Sequence, residues 1–178
     1  ILDTFLAAAC PVDSLTAEPL SLAHLLAAAG PTDAAPVAAI VVGAQWSEIH
    51  ILRRGKVAFS RPILPLPSSG ASSAAPQPPE AGPSTAYIAQ IVAEADKSLD
   101  YFEIERLARA VERVVLLGAN ARQRHLLETL ERDLELPVTP LALGPAVGGR
   151  PHTDETGRFD WSHHSLALAA ALGVEAGG

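Results

Sequence analysis

Apolar residues change period several times along this chain, and each change marks an element. Between Asp13 and Ala29, Leu15, Leu20, Leu22, Leu25 and Leu26 recur at helical spacing, with Ser14 or Thr16 as candidate caps and Gly30-Pro31 as a stop. A first helix is predicted there. The run Val37-Ala38-Ala39-Ile40-Val41-Val42 is short, largely β-branched and closed by Gly43, the pattern of a strand covered on both faces. Such a strand belongs in the middle of a sheet. Ser47 to Leu52 and Val57 to Ile63 alternate in polarity, and Arg53-Arg54-Gly55-Lys56 between them supplies a tight turn with a glycine able to take positive φ. With the preceding strand they make a three-stranded antiparallel meander, because the connections are too short for parallel crossovers.

Beyond Ile63 the period vanishes. Pro65 to Pro83 consists mostly of Pro, Ser, Ala and Gly and has no large apolar residue after Leu66, so a disordered insertion is expected. Helical spacing returns after Ser84 or Thr85, a candidate cap, with Ile88, Ile91, Val92, Ala95, Leu99 and Phe102 on one face as far as about Leu107. An apolar strand follows from Val111 to Leu117, ended by Gly118. An amphipathic helix is expected from Ala121 to Leu134 through Leu126, Leu127, Leu130 and Leu134, then a short strand from Pro137 to Leu141. Ser165 to Val174 reads as a closing Ala/Leu helix.

The order is therefore three meander strands, helix, strand, helix, strand, helix. Only the later strands are separated by crossover helices, so each must run parallel to a neighbour. This is the ribonuclease-H-like order: an α/β fold with a mixed five-stranded sheet and helices on both faces. Rossmann and flavodoxin-like sheets alternate strand and helix from the first strand, and the opening meander argues against both.

Composition narrows the reading. The 178 residues are 48% hydrophobic but only 4% aromatic, which calls for a core of Ala, Leu and Val rather than large rings. A net charge of −7 without any basic run argues against phosphate-neutralising binding to nucleic acid. The single Cys10 excludes an internal disulfide and multi-thiolate zinc sites, and fits a reducing, cytoplasmic compartment. No apolar run approaches the ~20 residues that span a bilayer, so membrane contact is expected through a partner. The chain opens Ile-Leu-Asp and contains no Met, and the expectation is a fragment lacking a preceding half.

Three stretches carry a family resemblance. Ala39 to Arg61, reading AIVVGAQWSEIHILRRGKVAFSR, resembles the second phosphate motif and following hairpin of the actin-like PilM and FtsA group, where the strand ends in Asp-Ile-Gly. Ile91 to Phe102, IVAEADKSLDYF, is similar to a family helix reading "E-i-x-r-S-l-d-y-f". Val114 to Ala121, VVLLGANA, with Leu126, Leu127, Leu130 and Leu136-Pro137-Val138 after it, looks like the adenosine motif "i-x-L-x-G-G-g-a" with its helix and next strand. The likeness runs from about Cys10 to Gly173, interrupted by the 65–83 insertion and unmatched over Gly144 to Trp161.

The resemblance implies an actin-like half. Residues 1–30 would enter it from a missing preceding half, and residues 31–64 and 84–178 would form the subdomain. It also implies a cytoplasmic scaffold of a type IV pilus or type II secretion-like machine, held near the inner membrane by a pilus or secretion-assembly partner, with homo-oligomers as a further arrangement. Nucleotide would meet Gly43, Ala44, Gly118, Ala119 and Asn120. Two departures weaken that site. Val41 stands where the family has the metal-linked Asp, and Val coordinates nothing, so Mg²⁺ binding and hydrolysis are not expected of this chain. Ala119 replaces a second glycine and narrows the approach of a base to the backbone. ATP is expected to bind weakly and catalytic residues are expected to be none. The alternative is an active actin-like ATPase or sugar-kinase relative whose acids lie in the missing half.

Other chemistry reads as plain structure. His152, Asp154, Glu155, Asp160, His163 and His164 cluster in sequence, but without the i, i+4 helical spacing of zinc helices, so a solvated loop is expected. The strand from Val37 to Val42 lacks the carboxylate a two-metal nuclease needs. Gly144 to Gly149 lacks the Gly-Lys-Ser/Thr ending of a phosphate loop.

Overall fold

The computed structural model describes residues 18–29, 35–43, 46–64, 83–106, 110–118 and 120–141. Its elements are α1 (Glu18–Ala29), β1 (Val37–Val42), β2 (Ser47–Arg53), β3 (Lys56–Ile63), α2 (Thr85–Arg106), β4 (Arg113–Leu117), α3 (Arg124–Leu134) and β5 (Val138–Pro140). The strands form one sheet in the order β3-β2-β1-β4-β5. β1 pairs antiparallel with β2 and parallel with β4, β2 pairs antiparallel with β3, and β4 pairs parallel with β5. The meander, the parallel crossovers and the central place of β1 agree with the sequence pattern.

β1 is central because it has no polar face. Ala38, Ile40 and Val42 join Ile49, Ile51, Val114 and Leu116 beneath α2 and α3, which contribute Ile88, Ile91, Ala95, Phe102, Leu126 and Leu130. On the other side Ala39, Val41, Leu52, Val115 and Leu117 meet Leu22 and Leu25 of α1. Helices thus cover both faces, and the buried apolar strand residues divide between the two cores by the two-residue period of the pleat.

Local chemistry sets the boundaries. The Ser84 hydroxyl accepts a hydrogen bond from the Tyr87 N–H at 3.2 Å and caps α2. The hairpin turns through Arg54 (φ 53°) and Gly55 (φ 72°), both left-handed, the geometry that matches the twist of adjoining strands. Three expectations shift. Leu20 is 54% exposed, because two residues are about 200° on a helix and it cannot share the face of Leu22. β4 starts at Arg113, not Val111, where pairing with β1 begins. α3 starts at Arg124, not Ala121, because Gly118 to Gln123 is spent on turns in which Ala121 N–H donates to Gly118 O (3.1 Å) and Gln123 N–H to Asn120 O (3.1 Å). The predicted insertion from Pro65, all but Pro83 of it, lies outside the described residues, as do the start of the first helix, Cys10, Gly144 to Gly149 and the closing helix from Ser165 to Val174.

Candidate functional site

In an open α/β sheet the carboxyl ends of parallel strands leave a crevice where ligands commonly sit. Here the parallel neighbours are β1 and β4, which end at Gly43 and Gly118. Asn120, in the turn after β4, is buried and reaches across: its Nδ2 donates to Gly43 O at 3.4 Å, while its Oδ1 accepts from Gln123 Nε2 at 3.3 Å. Of the five sequence-assigned residues, Gly43, Gly118 and Asn120 therefore meet at one end of the sheet. Ala44 and Ala119 lie outside the described residues.

Both glycines are required by backbone packing. Gly118 has φ +94°, and a Cβ there would lie 2.6 Å from Val42 O. A Cβ on Gly43 would lie 2.6 Å from Trp46 O. Gly43 N–H donates to that same carbonyl at 3.0 Å and closes the turn between β1 and β2. The polar groups of Gly43 are thus engaged within the fold, whereas phosphate cradles need backbone N–H groups aimed outward at the anion. Trp46, 39% exposed, places its indole Cε2 3.8 Å from the position of that Cβ and covers the glycine from outside.

Val41, at the metal-linked position of the resemblance, is 2% exposed and faces Leu22 and Leu25 of α1. Its side chain is a core group. Among the described residues no group of three His, Cys, Asp or Glu could hold a metal, and the clustered histidines from His152 to His164 lie outside them.

Among the described residues, the sheet also carries a buried polar cluster that single-chain patterns did not single out. His50 of β2 is fully buried, with Nδ1 3.0 Å from Ser60 Oγ of β3. Its Nε2 lies 3.1 Å from Glu48 Oε2 but outside hydrogen-bonding geometry, so that buried nitrogen has no hydrogen bond. Burial lowers the imidazole pKa to about 4 and raises that of the Glu48 carboxyl. Both shifts favour uncharged partners, as expected when neither ion is adequately solvated. The available signal was the hairpin register, which sets His50 opposite Ser60 and two residues from Glu48 on the same face. At the Gly43 end of the sheet, Tyr87 Oη donates to the buried Ser47 Oγ at 2.8 Å and ties the first turn of α2 to the start of β2.

No protein-family model matches the chain, and no curated protein matches it. Solved structures do. A chain of a PilM-PilN type IV pilus biogenesis complex is 17% identical with a TM-score of 0.68, over 98% of this chain and 56% of that one. A Bacteroides thetaiotaomicron protein described as having an actin-like ATPase fold and unknown function is 11% identical over 93% of this chain and 49% of its own, with a TM-score of 0.49. An Aquifex aeolicus PPX-GPPA enzyme is 17% identical over 60% of this chain and 35% of its own, with a TM-score of 0.37. The chain thus spans little more than half the length of the PilM-PilN relative. Its mixed five-stranded α/β fold is like that of the PilM-PilN chain, the fold that the three sequence stretches implied.

Proposed function

We propose that this chain is part of an actin-like scaffold of a type IV pilus or type II secretion-like machine, in which the nucleotide site has degenerated and the fold serves assembly. The scaffold docks on an inner-membrane assembly protein and sits at the cytoplasmic side of that membrane. The structural likeness to a chain of the PilM-PilN complex supports the assembly role. Among the described residues no helix is long and apolar enough to cross a membrane, so attachment through a partner fits.

The observation that carries the degenerate site is Gly43, whose N–H and carbonyl are bonded to Trp46 and Asn120. With Val41 buried as a core residue, the β1 end offers neither a free phosphate-binding amide at Gly43 nor a carboxylate at the metal position. The base-side turn at Gly118 and Asn120 is what remains, and it supports weak ATP binding without a metal requirement. Titration calorimetry of the 178-residue chain with ATP tests this. The expected result is a dissociation constant at or above about 1 mM, equivalent to about −4 kcal/mol, unchanged by Mg²⁺. Micromolar binding that requires Mg²⁺ would overturn it and favour an active ATPase.

A further inference from the structure

The β2–β3 hairpin is longer than the sheet needs. Leu52 faces Val37, the first residue of β1, and Val37 in turn faces Arg113, the first residue of β4. Arg53 to Lys56 therefore overhang the sheet, at the end away from Gly43 and Gly118. Three of these four residues, Arg53, Arg54 and Lys56, are cations, and all three are exposed. None of them has a carboxylate partner among the described residues, whereas Arg61, Lys97, Arg124 and Arg132 each have one.

This arrangement works against the fold. Arg54 holds φ 53°, where Gly or Asn is favoured, and like charges crowd one turn. A side chain kept at a strained backbone position marks a use outside the fold. An unpaired cationic turn on a chain of net charge −7 selects an anionic contact.

We propose that this turn rests on the anionic headgroups of a phospholipid membrane and orients the chain there, alongside the attachment through an assembly partner. Screening limits each charge to roughly 8–10 Å at physiological salt, so headgroups attract the overhanging turn while the net-negative remainder is repelled. A flat surface suits a projecting four-residue turn. A peptide would instead add to the β3 edge, where exposed Lys56, Arg61 and Pro62 oppose strand pairing. α2 runs from Ser47 to Phe59, so exposed Glu105 near its end, like exposed Glu112 before β4, lies towards the turn and reduces the attraction. The contact is therefore an orienting one and not an anchor. Each cation near an anionic leaflet is worth about fivefold in partitioning, so the turn contributes at most roughly a hundredfold. With the turn on the membrane, the Gly43–Gly118 end points away from it.

Co-sedimentation of the 178-residue chain with vesicles tests this. The vesicles are phosphatidylcholine alone, or with half of it replaced by phosphatidylglycerol, at about 20 mM and about 150 mM salt. Binding is expected on the anionic vesicles only, and more strongly at the lower salt. Arg53→Gln/Arg54→Asn/Lys56→Gln should weaken it at least about tenfold. Lys97→Gln/Arg124→Gln/Arg132→Gln removes the same charge elsewhere and should weaken it less than about threefold. Asn suits the left-handed position, so the first variant should melt no lower than wild type, which separates a lost contact from a lost fold. The vesicles carry no protein, so the outcome judges the turn alone and leaves the partner-mediated assembly reading as it stands. Equal binding to neutral vesicles, no binding to anionic vesicles at the lower salt, equal losses in the two variants, or capture of the turn by polyglutamate but not by vesicles would overturn the proposal.

Discussion

His50 is a neutral imidazole buried where an ion is poorly solvated, and that single fact couples stability to pH. Its folded-state pKa of about 4 lies below the ordinary value of 6.5. The unfolded chain therefore binds the extra proton first, and stability falls as pH drops from about 6.5 towards 4. The loss has an upper bound of about 3 kcal/mol. Glu48, shifted upward, works in the opposite direction, because its folded form retains a proton that the unfolded chain has released. Urea midpoints at pH 7 and pH 5 for wild type and His50→Gln separate the two: the wild type should lose more stability on acidification than the variant. The terminal residues of β1 and β4 are equally constrained. Gly118→Ala puts a methyl 2.6 Å from Val42 O at φ +94°, and a loss of about 2–4 kcal/mol is expected in urea unfolding at pH 7. Val41→Asp places a carboxylate between Leu22 and Leu25 and should cost several kcal/mol, about as much as an unpaired buried charge commonly does. Wild-type stability in that variant would place Val41 outside the core.

Turn chemistry and packing decide what happens to whole elements. The β2–β3 hairpin holds Arg54 at φ 53°, a conformation in which an ordinary side chain crowds the backbone and Asn is better tolerated. Arg54→Asn should therefore stabilise the chain by about 0.5–1 kcal/mol, visible as a higher thermal midpoint, and an unchanged or lower midpoint would contradict the turn assignment. α2 is held differently at its two faces. Phe102 is almost wholly buried in the larger core, so Phe102→Ala should cost about 3–5 kcal/mol. The exposed Arg61–Glu94 pair, where hydrogen bonding by Lys97 and the Arg61 charge lower the Glu94 pKa, should contribute under about 1 kcal/mol in a double-mutant cycle. Six buried residues on one face of α2, Ile88, Ile91, Val92, Ala95, Leu99 and Phe102, join the larger core and outweigh the visible ion pair.

At the scale of the molecule, the sheet is a platform covered on both faces, and at the Gly43 end that glycine's N–H and carbonyl are bonded within the fold. Gly43 and Gly118 are demanded by close approach between backbones, so their presence alone does not require a nucleotide site. We propose that residues 65–83 form an insertion dispensable for folding, because the stretch lacks core-forming side chains after Leu66. Removing residues 68–80 should leave a cooperative thermal transition at nearly the wild-type midpoint, and a broad, non-cooperative melt would show that the segment is structural.

The sequence by itself determined the elements and their order. The unbroken apolar run from Val37 to Val42 forced a central strand, the polar alternation around Arg54-Gly55 forced a hairpin, and Ile88 to Phe102 marked one helix face, because each of these patterns is local and backed by burial on a known period. Boundaries were less legible. Ala121 to Gln123 read as the start of a helix, but the Ala121 and Gln123 N–H groups are drawn into turns that join β4 to α3. The meaning of the site was not local at all. Whether Gly43 and Gly118 serve a ligand or a neighbour depends on how closely Trp46 and Val42 approach them, and the pairing of His50 with Ser60 depends on register between strands. Only the tertiary structure decides such distances, because they are set by which chains of backbone lie side by side and not by the residue types along any one of them.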